Sequence, residues 1–315
     1  MMTHRALPCE KNPRDITANV FAHEYNDSML TEVGYYNGAI GPLSEMSVPM
    51  NDRAVYFGDG VYELALARNG KIFGLKEHLE RFFSSLKLMD INFRMNAAEL
   101  TGELIKVLSI AEPDPEYTEQ GVYWQVSRGT DTRDHTYPGS SVIPNLMITV
   151  RPKSMHDIQQ RIRLLIIEDT RFMHCNIKTL NLIPNVLARQ AAVSRGCDEA
   201  VFHRGDVVTE CAASNISILR KGTLRTAPLG PFILPGVTRK QLIERCRELS
   251  VPVDETAFSL EEMMEADEVI VTSTSRMCTG VSMIDDKYVG GKAPELLGRL
   301  QNACKEYYLK ETSPV

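Results

Sequence analysis

Two Asn-Gly pairs constrain this chain more than any other feature. Asn37-Gly38 lies within "EVGYYNGAI" and Asn69-Gly70 within "YELALARNGKIF". Both pairs stand between strand-like flanks. Asn-Gly so placed is the strongest short hairpin signal, because a two-residue turn of matching twist needs positive φ at both positions. The first half of the chain therefore starts as antiparallel sheet. After the second pair, "KEHLERFFSSLKLM" carries Leu79, Phe82, Phe83 and Leu86 at helical spacing, and "AAELTGELIKVLSIA" predicts a second helix. "GVYWQVSRG" and "IPNLMITVRP" read as strands that close the sheet.

The second half has a different texture. "RPKSMHDIQQ", residues 151–160, is polar and contains a proline, which marks a linker. "IRLLIIED" predicts a strand. "IPNVLARQAAVSRG" predicts a helix, with Pro184 near its start and Gly196 just past its end. Short strands follow in "DEAVFHR", "VVTECA" and "SNISILRKGTLRTA". "TRKQLIERCRELS" and "PELLGRLQNACKEYYLK" predict helices, and "DEVIVTSTS" predicts an apolar strand that ends in hydroxyls. The expected organisation is a polar arm over 1–28, a smaller α+β domain over 29–150, the linker, and a larger α/β domain over 161–315.

Composition narrows the function. With 315 residues, 43% apolar and 24% charged, the chain has an ordinary globular balance and is long enough for two domains. Its net charge of −6 disfavours nucleic acid as the main partner. Seven cysteines, with no Cys-x-x-Cys pair, make neither a disulfide framework nor a zinc framework. His174 and Cys175 lack further ligands at zinc spacing, so no metal is expected. The first residues show no apolar core of signal type, and no run approaches the roughly 18 apolar residues of a membrane span. A cytoplasmic protein is expected.

Three groups of residues could carry chemistry. Lys178 stands in "HCNIKTLNLIPN" among Ile177, Leu180, Leu182 and Ile183, and an ammonium is costly to bury unless paired or neutralised. Glu210, between two strand-like segments, would need a cationic partner if buried. The pair suggests pyridoxal phosphate (PLP), for which a lysine forms the Schiff base and an acid holds the pyridinium. A phosphate could be received by "LPGVTR", where backbone N–H groups open a helix, by the hydroxyls of "VTSTS", and by Arg81. "SRGTDTRDHTYP" gathers Arg128, Arg133 and His135, and arginine grips a carboxylate through two parallel hydrogen bonds. Each signal alone is more often plain capping or a solvated surface.

Together they are specific. "NDRAVYFGDGVYE", "EHLERFFSSLKLM", "QVSRGTDTRDH", "CNIKTLNLIPNVLARQ", "VVTECAASN", "LPGVTR" and "VTSTS" occur in the order found in fold-type IV PLP enzymes, the class-IV aminotransferases. The likeness runs from about residue 33 to about 305. "RGTDTRDH" resembles the carboxylate trap of the D-amino acid aminotransferase branch. The resemblance implies a mixed α and β, two-domain fold that transfers an amino group between a D-amino acid and a 2-oxo acid. Lys178 is then the Schiff-base lysine and Glu210 the acid on the pyridine nitrogen. Arg81, Val237, Thr238 and Thr274 hold the cofactor phosphate, and Leu234 packs near the ring. Tyr62, Arg133 and His135 hold the substrate carboxylate. The last two reach in from the neighbouring subunit, so a homodimer is implied.

Other activities of the resembled family stay open: (R)-amine transaminase, branched-chain aminotransferase, aminodeoxychorismate lyase, or a non-catalytic phosphate-binding relative. Two departures from the family pattern bear on pocket detail. Cys211, Ala212 and Ala213 follow the glutamate where small hydroxyl residues are frequent, and Gly280 stands where proline is common.

Overall fold

The computed structural model describes residues 30–314; the arm read at residues 1–28 lies outside the described residues. Both Asn-Gly hairpins form. β1 (Val33–Tyr36) turns into β2 (Ala39–Pro42) through Asn37 and Gly38, at φ of 47° and 98°. A five-residue helix, α1 (Arg53–Phe57), precedes β3 (Gly60–Arg68), which turns through Asn69-Gly70 into β4 (Lys71–Ile72). Helices α2 (Leu75–Leu88) and α3 (Ala97–Ile110) follow, then β5 (Glu119–Ser127) and β6 (Asn145–Lys153). The six strands form one sheet in the order β2-β1-β6-β5-β3-β4.

The helices bury the stripe that the spacing foretold. Leu79, Phe82 and Leu86 of α2 pack with Leu100, Leu104 and Val107 of α3 on Trp124, Val61 and Ile148 of the sheet. Each such side chain, fully buried, contributes about 1.5–3 kcal/mol. Asn96 and Glu99 close a reciprocal capping box at the start of α3. Strand β6 continues to Lys153, so it takes up the first three residues of the stretch read as a linker. Pro152 is tolerated there because β1 ends opposite Val150, leaving β6 paired on one side only.

The rest of the chain builds a second sheet. Its elements are β7 (Ile162–Glu168), α4 (Ile183–Ser194), β8 (Glu199–Arg204), β9 (Val207–Cys211), β10 (Asn215–Arg220), β11 (Thr223–Thr226) and α5 (Val237–Glu248). β12 (Val253–Asp254), α6 (Leu260–Glu265), β13 (Glu268–Thr272), β14 (Thr279–Ile284), β15 (Lys287–Tyr288) and α7 (Pro294–Glu311) complete it. The strand order is β12-β11-β10-β13-β14-β7-β8-β9. The β7-α4-β8 unit is a parallel crossover. The Cys211 amide bonds the Ser214 carbonyl at 2.8 Å, so the turn from β9 to β10 curls the sheet back on itself. Helices α5 and α7 pack on one face over Leu219, Ile270 and Cys278. Among the described residues no helix is long and apolar enough to cross a membrane.

Candidate active site

Strand β3 puts a carboxyl into an apolar row. Val61, Glu63, Ala65 and Ala67 alternate along the strand, and all four are buried. Two residues on α2 answer Glu63. Arg81 donates Nε to Oε1 and Nη2 to Oε2, both at 2.7 Å. His78 places Nδ1 2.8 Å from Oε2. Burial pushes the Glu63 carboxyl up, but the charge and hydrogen bonds of Arg81, helped by His78, outweigh it and hold the carboxyl at about 2. An ionised carboxylate only accepts, so His78 Nδ1 carries the shared proton. Burial lowers the His78 pKa and keeps the ring neutral. The third use of Arg81 is a bond from Nη1 to the Pro235 carbonyl at 3.1 Å. Of its five N–H groups, one on each terminal nitrogen stays free of partners among the described residues, at the wall of a cavity.

A pH dependence follows from the Glu63 pair. Its carboxyl is held from 4.5 down to about 2, so it contributes roughly 3 kcal/mol of stability above the ordinary carboxylate range. That contribution is lost as pH falls from there toward 2. Glu63→Gln is expected to flatten this acid limb in urea unfolding. At neutral pH it should also cost about 3–5 kcal/mol, by leaving Arg81 without its partner.

The lysine segment lies along the free edge of β3, beyond the reach of β4. Tyr62 N donates to Lys178 O at 3.0 Å and Leu180 N to Gly60 O at 3.1 Å, a single bridge rather than a strand. Lys178 N donates to Ser85 Oγ at 3.2 Å, one turn along α2 from Arg81 on the same face. The Lys178 side chain is half-buried on the cavity wall rather than in the core. Its Nζ stands 4.2 Å from the centre of the Tyr62 ring, and no ion pair to it occurs among the described residues.

Glu210 closes another side of the cavity. It is 4% exposed. Oε2 accepts from Asn215 Nδ2 and from Leu234 N, both at 2.9 Å, and Oε1 is paired with Arg171 Nη1. Burial pushes Glu210 up to about 7 even against the charge of Arg171. Arg171 is itself held by Asp169 through Nε and Nη2 at 2.9 Å, and Asp169 also accepts from Arg204 at 3.1 Å.

The stretch Leu234–Thr238 ties these parts together. Leu234 N reaches Glu210, Pro235 O receives Arg81, and Val237 begins α5. Unlike α3 and α6, α5 has no side chain capping its start. Val237 N and Thr238 N have no acceptor among the described residues and border the cavity. Gly236 makes the close approach possible, since a Cβ there would stand 1.9 Å from Asn215 Oδ1. Opposite, the loop after β13 brings Thr274, whose hydroxyl donates to Leu64 O at 3.3 Å. The buried hydroxyl of Thr272 borders the same space with no partner among the described residues. The cavity measures about 620 Å³ and is bordered by Tyr62, Arg81, Lys178, Glu210, Leu234, Val237, Thr238 and Thr274.

Residues 60–284 match the family described as Amino-transferase class IV. The chain belongs to the class IV aminotransferases. It is 36% identical over 285 residues to a D-alanine aminotransferase of Staphylococcus haemolyticus, covering 89% of this chain and 99% of that one. It is 33% identical over 281 residues to a D-alanine aminotransferase of Bacillus licheniformis, covering 88% and 98%. Among solved structures it is similar to the branched-chain aminotransferase of Escherichia coli, with a TM-score of 0.78, 22% identity, and coverage of 90% and 96%. That of Thermoproteus uzoniensis gives a TM-score of 0.77 at 22% identity, covering 88% and 97%. These two likenesses concern the fold, which is the fold-type IV architecture expected from the sequence.

Two expected site residues stand apart from the rest. Arg133 and His135 are exposed on the loop between β5 and β6 and do not border the cavity of their own chain. The departures from this aminotransferase family's pattern have separate consequences. Cys211, Ala212 and Ala213 border the cavity without hydroxyls, the next one being that of Ser214, while Ala212 keeps backbone bonds to Ala200 O and from Asn185 Nδ2. Gly280 lies in β14, off the cavity, where a Cβ would stand 2.9 Å from Leu297. Sequence reading missed Glu63, His78, Ser85, Asp169 and Arg171. Only Glu63 had a signal, as a lone acid on the inward phase of an apolar strand.

Proposed function

We infer that the chain is a PLP-dependent transaminase that moves the amino group between a D-amino acid, such as D-alanine, and a 2-oxo acid. The observation that carries this reading is the common cavity of Lys178, Glu210 and the uncapped start of α5. The donor set suits PLP. The free N–H groups of Val237 and Thr238, two unused N–H groups on Arg81, and the hydroxyl of Thr238, with Thr274 beside them, form a cradle for a phosphate. Lys178 Nζ is without an ion partner for the aldehyde carbon, and the buried Glu210 carboxylate suits a protonated ring nitrogen. Leu234, on the cavity wall, would offer the ring an apolar surface. When bound, the cofactor supplies an electron sink for the pair left when the substrate loses its Cα proton.

The residues do the rest. Lys178 holds the cofactor and then shuttles the Cα proton, a transfer worth on the order of 10²–10⁴-fold. Tyr62, against the lysine, and Arg133 and His135 take the substrate carboxylate, and that anchor decides which enantiomer presents its hydrogen to Lys178. In a homodimer the last two would serve the neighbouring cavity. Their exposure outside their own cavity supports this. So does the apolar face of α4, where Ile183, Val186, Leu187 and Val193 are all exposed. The described cysteines are all free, as suits a cytoplasmic enzyme. The named relatives at 33–36% identity support the D-alanine assignment.

The test is to incubate cofactor-loaded protein with D-alanine and L-alanine separately. D-alanine is expected to shift the visible spectrum and yield pyruvate, while L-alanine leaves both unchanged. A response to L-alanine alone, or protein that takes up no PLP, would overturn this reading.

A further inference from the structure

Helix α1 touches the Arg133–His135 loop at its stems and at its tip. Asp52, which caps α1, accepts from Ser127 Oγ at 3.0 Å and Asn145 Nδ2 at 2.7 Å, where the loop leaves β5 and enters β6. Arg53 N donates to Gly129 O at 2.9 Å. The Arg53 side chain is 4% exposed, and its fork reaches two acceptors. Nε donates to Asp59 at 2.7 Å, and Nη1 donates at 2.8 Å to the carbonyl of Asp134, the residue between Arg133 and His135. Asp59 also accepts from Arg128 Nε at 2.9 Å. At the other end of α1, the Phe57 ring lies 5.2 Å from the Arg133 guanidinium and 5.3 Å from the His135 ring. Arg53 itself stands 4.9 Å from the same ring.

This is an unusual use of a buried arginine. Its charge is answered by Asp59, and its remaining reach goes to one exposed-loop carbonyl. A guanidinium can bridge two acceptors in fixed directions, whereas an ammonium on a flexible stem cannot hold both. The pinned carbonyl fixes the peptide that leads from Asp134, next to Arg133, into His135, and Phe57 gives both side chains a surface to rest on. An exposed arginine would otherwise lose its rotamer freedom each time it gripped a carboxylate, and preorganisation removes that loss.

We propose that Arg53 and Phe57 are positioning residues that preform the carboxylate site of Arg133 and His135. The proposal rests on the reading of those two residues as the groups that take the substrate carboxylate. Helix α1 also connects to the cavity, since Gly58 O, just past its end, accepts Asn181 Nδ2 at 2.9 Å, and Tyr62 follows on β3. The pinned loop and the lysine segment are thus referred to one short piece of chain.

The test uses the cofactor-loaded enzyme with Arg53→Lys and, separately, Phe57→Leu. KM for D-alanine is expected to rise about ten-fold while kcat changes by less than about two-fold. Calorimetric affinity for propionate, a carboxylate that cannot react, should weaken by a similar factor. Melting temperature and oligomeric size should match wild type. Adding Arg53→Lys to the Arg133→Ala, His135→Ala double variant should raise KM no further, because both residues being positioned are already gone. The proposal is overturned if Arg133→Ala raises KM but the two variants leave KM and propionate affinity unchanged. It is also overturned if Arg53→Lys still raises KM when Arg133 and His135 are both already alanine, or if the KM rise comes with a change in oligomeric size. If Arg133→Ala itself leaves KM alone, the carboxylate reading fails first and takes this proposal with it.

Discussion

Lys178→Ala is expected to abolish transamination of D-alanine, at the far end of the on-the-order-of 10²–10⁴-fold range for a positioned proton carrier. His78 on α2 is no replacement, because it does not border the cavity and its ring is enclosed by Glu63 and Trp124. His156 and His174 border the cavity, but neither is tied to the lysine segment through Ser85 and β3 as residue 178 is. Tyr62 is adjacent, yet a phenol is a poor base at neutral pH. Lys178→Arg separates charge from chemistry. It keeps a cation in the cavity but cannot give up a proton, so it should be as inactive as the alanine variant. Neither change should unfold the protein, because the segment is held by the backbone N and O of residue 178, not its side chain. Single-turnover kinetics with D-alanine, beside a melting curve, check both statements. Wild-type turnover in either variant would remove Lys178 from the chemistry.

The sequence disclosed regular elements well and the supports of the site poorly. Both Asn-Gly turns form, because positive φ at two successive positions leaves little choice. The α2 stripe of Leu79, Phe82 and Leu86 packs as its spacing required. Helix α1 was invisible, since five residues cannot display a period of 3.6. The lysine stretch forms one bridge on β3, because residues 60–62 had one edge to spare. The residues converging on the cavity were legible only as a family pattern. Contacts such as Arg171 on Glu210 join a loop to a strand thirty-nine residues away, and no local periodicity encodes them. Glu63 is the instructive exception. An acid on the buried phase of an apolar strand demands a cation, and Arg81 on the next helix was the candidate to test.

Arg171→Met should move the pH dependence of catalysis toward alkali. In the wild-type chain Glu210 is pushed up to about 7 by burial, with Arg171 the main force opposing that rise. Methionine fills similar space against Phe202, whose ring lies 4.5 Å from the guanidinium, but removes the charge. Asp169 keeps Arg204 at 3.1 Å and Thr209 at 3.2 Å, so it is not stranded. Glu210 keeps only the neutral donors Asn215 and Leu234. Its carboxyl must then titrate above 7, which leaves it protonated and uncharged at neutral pH. An uncharged acid no longer stabilises a protonated pyridine nitrogen, so kcat should fall at neutral pH and recover as the pH rises and the carboxylate returns. Glu210→Gln should fall likewise and show no alkaline recovery, because the amide cannot ionise. A kcat–pH profile of the Arg171 variant that superimposes on wild type would mean that Arg171 serves only to pack the loop.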